Sequence, residues 1–328
     1  MKTINFHKSH KVIVLLLSIT LLLTGCSTAN TQEGDKFVIG INQLADHSAL
    51  DDARRGFEDG LRELNIEAEI KYQNAQGDIP TANTISQKFV KDKVDLIYAI
   101  GTPAAQSTKQ ATGEIPILFS AVTDPVADNL IESMEAPGGN ISGTSDISPI
   151  DKQLQLFKDL DKNIKKIGIL YNTSESNSPI QVELAEKIAL DLGLEIVSMG
   201  VSNINDIPQA MDALSKKVDG IYTITDNMVA SAINIVSEKA ITNGLITVGA
   251  EESHVKGGIL ITDGISYYDL GKQTATMAKE ILVDGKSPTD IPSEIAKNTN
   301  KVFNEKTLKK LNLDENNKAF KDAKKIED

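Results

Sequence analysis

The stretch VDLIYAIGTPAA, residues 94–105, decides the fold class of this 328-residue chain. Residues 94–100 are mostly apolar and β-prone, which predicts a buried strand. A helix is predicted to start directly afterwards, because Thr102 suits the N-cap and Pro103 suits the first helical turn. A buried strand that leads straight into a helix is the repeating unit of a parallel sheet covered by helices.

The same alternation of strand and helix extends in both directions and falls into two series. The predicted strands are residues 37–44, 68–72, 94–100 and 115–121 in the first series and residues 167–171, 194–200, 218–224 and 245–249 in the second. A strong turn signal, Pro-Gly-Gly-Asn at 137–140, separates the two series. Each is on the order of 100 residues, the size of an ordinary domain. The pattern therefore predicts an α/β protein with two doubly wound, Rossmann-like lobes.

The C-terminal segments have no sheet of their own, so we expect them to return to the two lobes. They are a predicted helix at 267–283, a strand-like segment at 294–303 and a lysine-rich helix. The chain would then cross between the lobes more than once and form a multi-crossover hinge, which permits closure. The predicted boundaries are residues 37–145 plus about 265–288 for lobe 1, and residues 146–264 plus about 289–328 for lobe 2.

The N-terminal residues have the pattern of an export signal. Three lysines flank the start of an apolar run at 12–23, which is shorter than the roughly 20 residues that a membrane-spanning helix needs. Leu-Thr-Gly directly before Cys26 resembles the bacterial lipobox, in which the cysteine thiol receives a diacylglyceryl group. We therefore expect a lipoprotein signal peptide at 1–25, lipidation of Cys26 and a flexible tether at 26–36.

Composition excludes several function classes. Lys and Arg number 34 against 46 Asp and Glu, a net charge of -12, which speaks against nucleic acid as a partner. The single cysteine rules out a disulfide framework and a four-thiolate zinc site. The dinucleotide, P-loop and hydrolase motifs are absent. Beyond the signal peptide the only histidines are His47 and His254, which are interpreted as loop or surface residues. No catalytic, cofactor or metal site is predicted.

Polar residues gather at the ends of the predicted strands. Ligands of open α/β sheets bind outside the carboxyl ends of the strands, so these residues predict a cleft shared by both lobes. Each of them could also be an ordinary helix cap. The candidate ligand-binding residues are Thr102, Pro103, Ala104, Ser120 and Asp124 in lobe 1, and Asn172, Ser174, Ser176, Asn177, Asp226, Asn227, Glu251 and Asp263 in lobe 2.

Four motifs in matching order resemble one known family, the substrate-binding lipoproteins of ABC importers that include tryptophan- and tyrosine-binding members. The motifs are FSAVTDP at 119–125, PGGNISG at 137–143, YN at 171–172 with SESNS at 174–178, and TDN at 225–227. The similarity extends from residue 37 to about residue 311. It implies a type I periplasmic-binding-protein fold with three hinge crossovers, a ligand enclosed between the lobes, and delivery to a membrane permease with a cytoplasmic ATPase.

The resemblance also implies the ligand class, an amino acid with an aromatic side chain. The expected clamp holds its carboxylate with the helix start at Thr102 and with donors from both lobes, and its ammonium group with Asp226 and either Asn227 or Asp263. The expected aromatic walls are residues such as Tyr98, Phe119, Tyr171, Tyr222 and Tyr267.

The expected location is the outer face of the cytoplasmic membrane, lipid-anchored and exposed in a single-membrane bacterium. The expected partners are the ligand, the permease with its ATPase subunits, and the membrane. The alternative function is a surface adhesin or a ligand sensor with the same fold, either in place of transport or in addition to it.

Overall fold

The computed structural model describes residues 36–326. The predicted signal peptide, almost all of the tether and Cys26 therefore lie outside the described residues. Within 36–326, no helix is both long enough and apolar enough to cross a membrane.

The first series forms most of one lobe. Its elements in chain order are β1 (Phe37–Gln43), α1 (Ser48–Glu63), β2 (Ala68–Asn74), α2 (Ile79–Lys91), β3 (Leu96–Ile100), α3 (Thr102–Ala111), β4 (Ile117–Val122) and β5 (Ile141–Ser145). Sequence reasoning missed β5, because its residues are mostly small and polar and follow the turn at 137–140. It is nevertheless fully buried. Gly143 is needed there, since a Cβ atom at this position would lie 2.2 Å from the carbonyl oxygen of Phe119 on β4.

The second series forms most of the other lobe. Its elements are α4 (Ile150–Leu160), β6 (Lys166–Asn172), α5 (Asn177–Asp191), β7 (Glu195–Val201), α6 (Ile207–Leu214), β8 (Gly220–Thr223), α7 (Asn227–Ser231), α8 (Ile233–Thr242), β9 (Ile246–Gly249), α9 (Glu252–Lys256) and β10 (Ile261–Ile265). The last elements are α10 (Tyr267–Leu282), β11 (Glu294–Ile295), β12 (Thr299–Asn304), α11 (Glu305–Lys310) and β13 (Lys324–Ile326).

The strands form two sheets, in the orders β11-β5-β4-β3-β1-β2 and β13-β12-β10-β9-β8-β6-β7. All pairs are parallel except β10 with β12. The prediction of two doubly wound α/β lobes is confirmed. Helix α10 belongs to the first lobe because it packs against α1 at glycines: a Cβ atom on Gly56 would lie 2.0 Å from the carbonyl oxygen of Tyr268.

The chain passes between the two sheets three times, after β5, after β10 and after β11. The strand-like segment predicted at 294–303 is in fact two strands. β11 pairs with β5 in the first sheet and β12 pairs with β10 in the second. The sequence-based division, which gave everything from about residue 289 to lobe 2, differs from this pairing. Hydrogen-bond partners far away in the chain decide to which sheet each short strand belongs.

Candidate functional site

The two lobes meet at the carboxyl ends of their parallel strands. Polar side chains join them by hydrogen bonds, among them His47 with Asn227 at 3.2 Å, the hydroxyls of Thr123 and Thr225 at 3.1 Å, and Gln106 with Ser176 at 3.2 Å. The Ser176 hydroxyl also donates to Asp128 of the first lobe. These contacts hold the lobes in a closed arrangement.

Two neighbouring spaces between the lobes lie beside the strand ends. The inner cavity has a volume of about 10 Å³, and the residues around it include His47, Asp146, Asn177, Asp226, Glu251, His254 and Tyr267. The outer pocket has a volume of about 550 Å³ and apolar walls from both lobes, namely Leu44, Ile79, Pro80, Pro103, Ile204 and Met228. Asn227 lines both spaces. A small polar chamber thus adjoins a pocket of the size that small ligands occupy, with Asn227 between them.

The inner cavity collects polar atoms that lack a protein partner. Buried side-chain atoms without a hydrogen bond include Nδ1 of His47, Oδ1 of Asp146, Oδ1 of Asn177 and Nε2 of His254, and all four residues line the cavity. A buried polar group without a partner costs about 1–3 kcal/mol. Four of them around one chamber indicate a site for a polar ligand, which would supply the missing hydrogen bonds.

The cavity is also acidic. Burial raises the pKa of Asp146 to about 6, although the Tyr267 hydroxyl opposes this effect by donating to Oδ2 at 2.5 Å. Burial likewise raises the pKa of Glu251 to about 7. The hydrogen bond that Glu251 accepts from the backbone N–H of Ser253 at 3.1 Å opposes this rise. Two carboxyl groups that are costly to ionise therefore face the same small space.

The histidines lie at this site. His254 is 1% exposed, and its Nε2 atom is 3.1 Å from Oε1 of Glu251 without hydrogen-bond geometry. Burial lowers its pKa to about 4, so the ring is neutral. Burial also lowers the pKa of His47, which is half-buried. The interpretation of His254 as a loop or surface residue was wrong, because His254 lies on the short helix α9 and is buried at the inner cavity.

Asp226, the predicted acceptor for a ligand ammonium group, lines the inner cavity but is already engaged. Its Oδ1 caps α7 by accepting the backbone N–H of Val229 at 2.9 Å. Its Oδ2 accepts the backbone N–H of Asn172 at 2.6 Å and the Ser178 hydroxyl at 2.7 Å. Asp146 has a bare oxygen in the same cavity and is better placed for a cation.

The other predicted site residues differ in whether they line one of the two spaces. Asn177, Asn227 and Glu251 line the inner cavity, and Pro103, Asn172, Ser174 and Asn227 line the outer pocket. Thr102, Ala104 and Ser120 are buried in lobe 1 without lining either space, and Ser176 bridges the lobes. Asp124 lines neither space and accepts the backbone N–H of Ala127 at 2.9 Å. Asp263 lies within β10, opposite Lys301 of β12, and also lines neither space.

Three of the predicted aromatic walls are core residues. Tyr98 stacks on Phe57 with 4.1 Å between ring centroids, and Phe119 lies in an apolar cluster of the same lobe. Tyr222 is in the core of the second lobe and donates to Gln153 at 2.5 Å. The prediction was wrong for these residues because both faces of a parallel sheet are covered, so mid-strand side chains face helices. Tyr171 packs beside the same core, and Tyr267 does line the inner cavity.

Sequence reasoning missed Asp146 and Glu175. Asp146 follows β5, the strand that was not predicted, so no strand end marked it as a site residue. Glu175 lines the outer pocket and accepts hydrogen bonds from the side chains of Asn172 and Asn227. Glu175 lies within the SESNS motif at 174–178. The hydroxyl and amide residues of that motif were chosen as candidate site residues, and the glutamate was not.

Comparison with known proteins gives consistent results. Residues 38–327 match the family described as ABC transporter substrate binding protein. The tyrosine-binding protein of Clostridioides difficile is 43% identical over 323 residues, which cover 93% of each chain. A Streptococcus pneumoniae ABC domain in complex with L-Trp is 32% identical, with a TM-score of 0.85 over 89% of this chain and 100% of that one.

A third relative indicates the arrangement of the lobes. The ligand-free, open structure of a Clostridium difficile substrate binding protein with adhesive properties is 41% identical over 89% of this chain and 99% of that one, yet its TM-score is 0.69. The chain with lower identity and bound L-Trp superimposes better. A lower TM-score against an open relative is expected for a chain whose lobes are closed, as the hydrogen bonds between the lobes here indicate.

These relatives are solute-binding proteins, and their solved structures have the two-lobed fold described above. The predicted type I fold is therefore confirmed. The family consists of binding proteins and not of enzymes, as the sequence indicated. The chain belongs to the family of ABC transporter substrate binding proteins.

Proposed function

We propose that this protein is the lipid-anchored solute receptor of an ABC importer and that it encloses an aromatic amino acid between its lobes. The observation that carries the proposal is the pairing of a polar inner cavity, which has buried atoms without partners, with an apolar outer pocket. The ammonium group of an amino acid fits the first space, and its carboxylate and aromatic side chain fit the second. Relatives named for tyrosine and tryptophan support this ligand class.

In this proposal the ligand completes a set of contacts that neither lobe supplies alone. The ammonium end enters the inner cavity, where the acceptors belong to both lobes. The carboxylate lies towards the start of α3, because Pro103 lines the outer pocket and the first turn of a helix has free N–H groups. The side chain packs against Leu44, Ile79 and Met228. Closure then reports occupancy to the permease, since the closed form is stabilised by bound ligand.

The test is a thermal-shift and calorimetric screen of the purified chain from residue 27 onward with tyrosine, phenylalanine and tryptophan, and with leucine and nucleosides as controls. A ligand at 100 times its Kd adds about 2.7 kcal/mol to the free energy of unfolding. We expect at least one aromatic amino acid to do so and leucine to do less. A response to nucleosides alone would contradict the proposed ligand class.

Delivery and anchoring belong to the same proposal. The partners are a permease and its cytoplasmic ATPase subunits, and the site of action is the outer face of the cytoplasmic membrane. Lipidation at Cys26 would hold the receptor near the permease, and the small polar segment at 26–36 would give it reach. Uptake of labelled tyrosine by cells with and without the gene tests delivery.

A second role as an adhesin or ligand sensor is favoured by one observation, the adhesive properties named for the 41% identical relative. It is compatible with transport. The test measures how well beads coated with this protein adhere to epithelial cells. Beads coated with another two-lobed protein of equal net charge are the control.

A further inference from the structure

We propose that Asp146 and Glu251 form the ammonium subsite of the inner cavity and that the ligand's ammonium group replaces a proton held by these two carboxyl groups. This inference rests on the proposed function and specifies how its site recognises an amino acid. Its consequence is that ligand capture releases a proton, so that an acidic medium weakens binding.

The position of Asp146 carries the first step. Asp146 lies at the crossover after β5 and is 2% exposed. The Tyr267 hydroxyl holds Oδ2, whereas Oδ1 is buried without a partner in a residue that lines the cavity. A cavity of about 10 Å³ is close to the lower limit for a single water molecule. An ammonium group is of similar size, and it carries the donors that this oxygen lacks.

Glu251 supplies the second acceptor from the other lobe. It is 2% exposed and lines the same cavity. Its contacts with Ser253 orient the carboxyl group without giving it a cation. The electrostatic repulsion between Asp146 and Glu251 further raises the pKa of Asp146. One charged donor between the two groups would relieve both the repulsion and the desolvation.

Within residues 36–326, the lining of the inner cavity contains no fixed positive charge. Arg55 and Lys256 lie beside Glu251 in an adjoining pocket, where both form ion pairs with Asp52. The titratable groups that face the pair from the neighbouring elements are His47 before α1, Asp52 on α1, Asp226 before α7, His254 on α9 and Tyr267 on α10. Burial lowers the pKa of both histidines, and among the described residues no lysine or arginine lines the cavity. Without ligand, the pair therefore keeps a proton at neutral or mildly acidic pH, because two unpaired buried carboxylates are costly.

The exchange balances in charge and protons. The ligand arrives as an ammonium ion and keeps its three N–H protons. The carboxyl pair loses the proton that it held, and this proton passes to the solvent. Below the pKa of the pair, every ligand bound must displace a proton. Affinity then falls by up to about tenfold per pH unit for each proton displaced.

The decisive experiment is calorimetry of wild-type protein with L-tyrosine from pH 6 to pH 8.5, in two buffers of different ionisation enthalpy. The enthalpy difference between the buffers counts released protons. We expect about one proton per tyrosine at pH 6 and a value approaching zero at pH 8.5, because the pair is then already ionised. This measurement requires no variant.

The variant Asp146→Asn assigns the effect to the residue, and Asp284→Asn, a change of the same chemistry at an exposed turn, is the matched control. We expect Asp146→Asn to weaken tyrosine binding at least ~30-fold at pH 8. Binding of 3-(4-hydroxyphenyl)propanoate, which lacks the amine, should not weaken. If Asp146→Asn does not fold, Glu251→Gln provides the same comparison.

The outcomes separate the two proposals. Tight tyrosine binding with no proton release at any pH, together with equal affinity of Asp146→Asn and the control, would overturn the ammonium subsite and leave the proposed function standing. Lack of binding of every aromatic amino acid by wild-type protein would overturn both.

Discussion

The Nε2 atom of His47 lies 3.2 Å from the Oδ1 atom of Asn227, and these residues, 180 positions apart, belong to different lobes. The Asn227 side-chain amide donates to Glu175, so its oxygen is the atom available to His47. The imidazole must therefore carry its proton on Nε2 and donate it to Asn227. The other nitrogen, Nδ1, is left as a bare acceptor in a residue of the inner cavity. This contact thus helps to hold the lobes together and leaves the second ring nitrogen as an acceptor at the cavity.

The first prediction concerns this contact. Replacing His47 by alanine removes a hydrogen bond between the lobes, which is worth about 0.5–1.5 kcal/mol. We expect tyrosine to bind ~3–10-fold more weakly and the ligand-free protein to have a larger radius of gyration in small-angle scattering. Asn316→Ala, at an exposed turn of the C-terminal segment, is the control. An unchanged radius and affinity would show that other contacts alone close the lobes.

The second prediction concerns stability and pH. The pKa of Asp146 is raised to about 6 in the folded protein, so its protonated form stabilises the fold below the ordinary pKa near 4, and this stabilisation is lost as the pH rises through about 6. A shift of about two pKa units corresponds to about 3 kcal/mol. Relative to Asp146→Asn, wild-type protein should therefore lose about that much unfolding free energy between pH 4 and pH 7.5.

Urea unfolding of ligand-free protein at both pH values measures this difference. Asp284→Asn should follow wild type at each pH, because its side chain is exposed and its salt bridge with Lys279 is long, at 3.5 Å. If the unfolding free energies of wild type and Asp146→Asn changed by the same amount between the two pH values, the pKa of Asp146 would not be raised in the folded protein, and the prediction would be contradicted.

The third prediction concerns Tyr267. Its hydroxyl donates to Asp146 and opposes the rise in the pKa of that carboxyl group. Tyr267→Phe removes the donor, so the pKa of Asp146 should rise further. We expect the midpoint of the affinity-against-pH curve to move to higher pH. Equal weakening of tyrosine binding at every pH would instead indicate a role in packing alone.

The fourth prediction separates Asp226 from the ammonium subsite. Its carboxylate caps α7 and accepts from Asn172 and Ser178. Asp226→Ala should therefore lower the free energy of unfolding by about 1–3 kcal/mol. The variant should still prefer tyrosine to 3-(4-hydroxyphenyl)propanoate. Calorimetry below the unfolding temperature measures this preference. If Asp226→Ala lost it, Asp226 and not Asp146 would be assigned the contact with the ammonium group.

The fifth prediction concerns Cys26, whose thiol is the proposed acyl acceptor. Cys26→Ala should abolish incorporation of labelled fatty acid and move the protein from the membrane fraction to the medium or leave an unprocessed precursor. Stable attachment of a lipoprotein needs more than one acyl chain. Ser27→Ala, the next residue, is the control. Label in the Cys26→Ala protein would contradict the lipobox assignment.

Much of the fold was predictable because it rests on local signals. The strand predicted at 94–100 appears as β3, and the helix predicted to follow it appears as α3. The prediction of Thr102 as N-cap was wrong, because Gly101 is the N-cap and Thr102 is the first helical residue. Apolar periodicity, caps and turn residues act within a few positions of one another, so a single sequence carries them. β5 had no such signal, because its small polar residues are buried by distant segments, namely β4 and β11 on either side and α10, whose Thr274 hydroxyl lies 2.8 Å from that of Thr144.

What the sequence determined by itself, then, is two lobes of parallel strands with polar residues at their carboxyl ends. Only the tertiary structure decided which of those polar groups are free for a ligand. Asp226 and Asp146 are both buried carboxylates beside one cavity. Two backbone N–H groups and one serine hydroxyl, from three segments, donate to the first. The second accepts from one tyrosine hydroxyl and keeps one oxygen without a partner. The cost of burying a charge depends on donors brought together from distant parts of the chain, and local sequence does not encode that proximity.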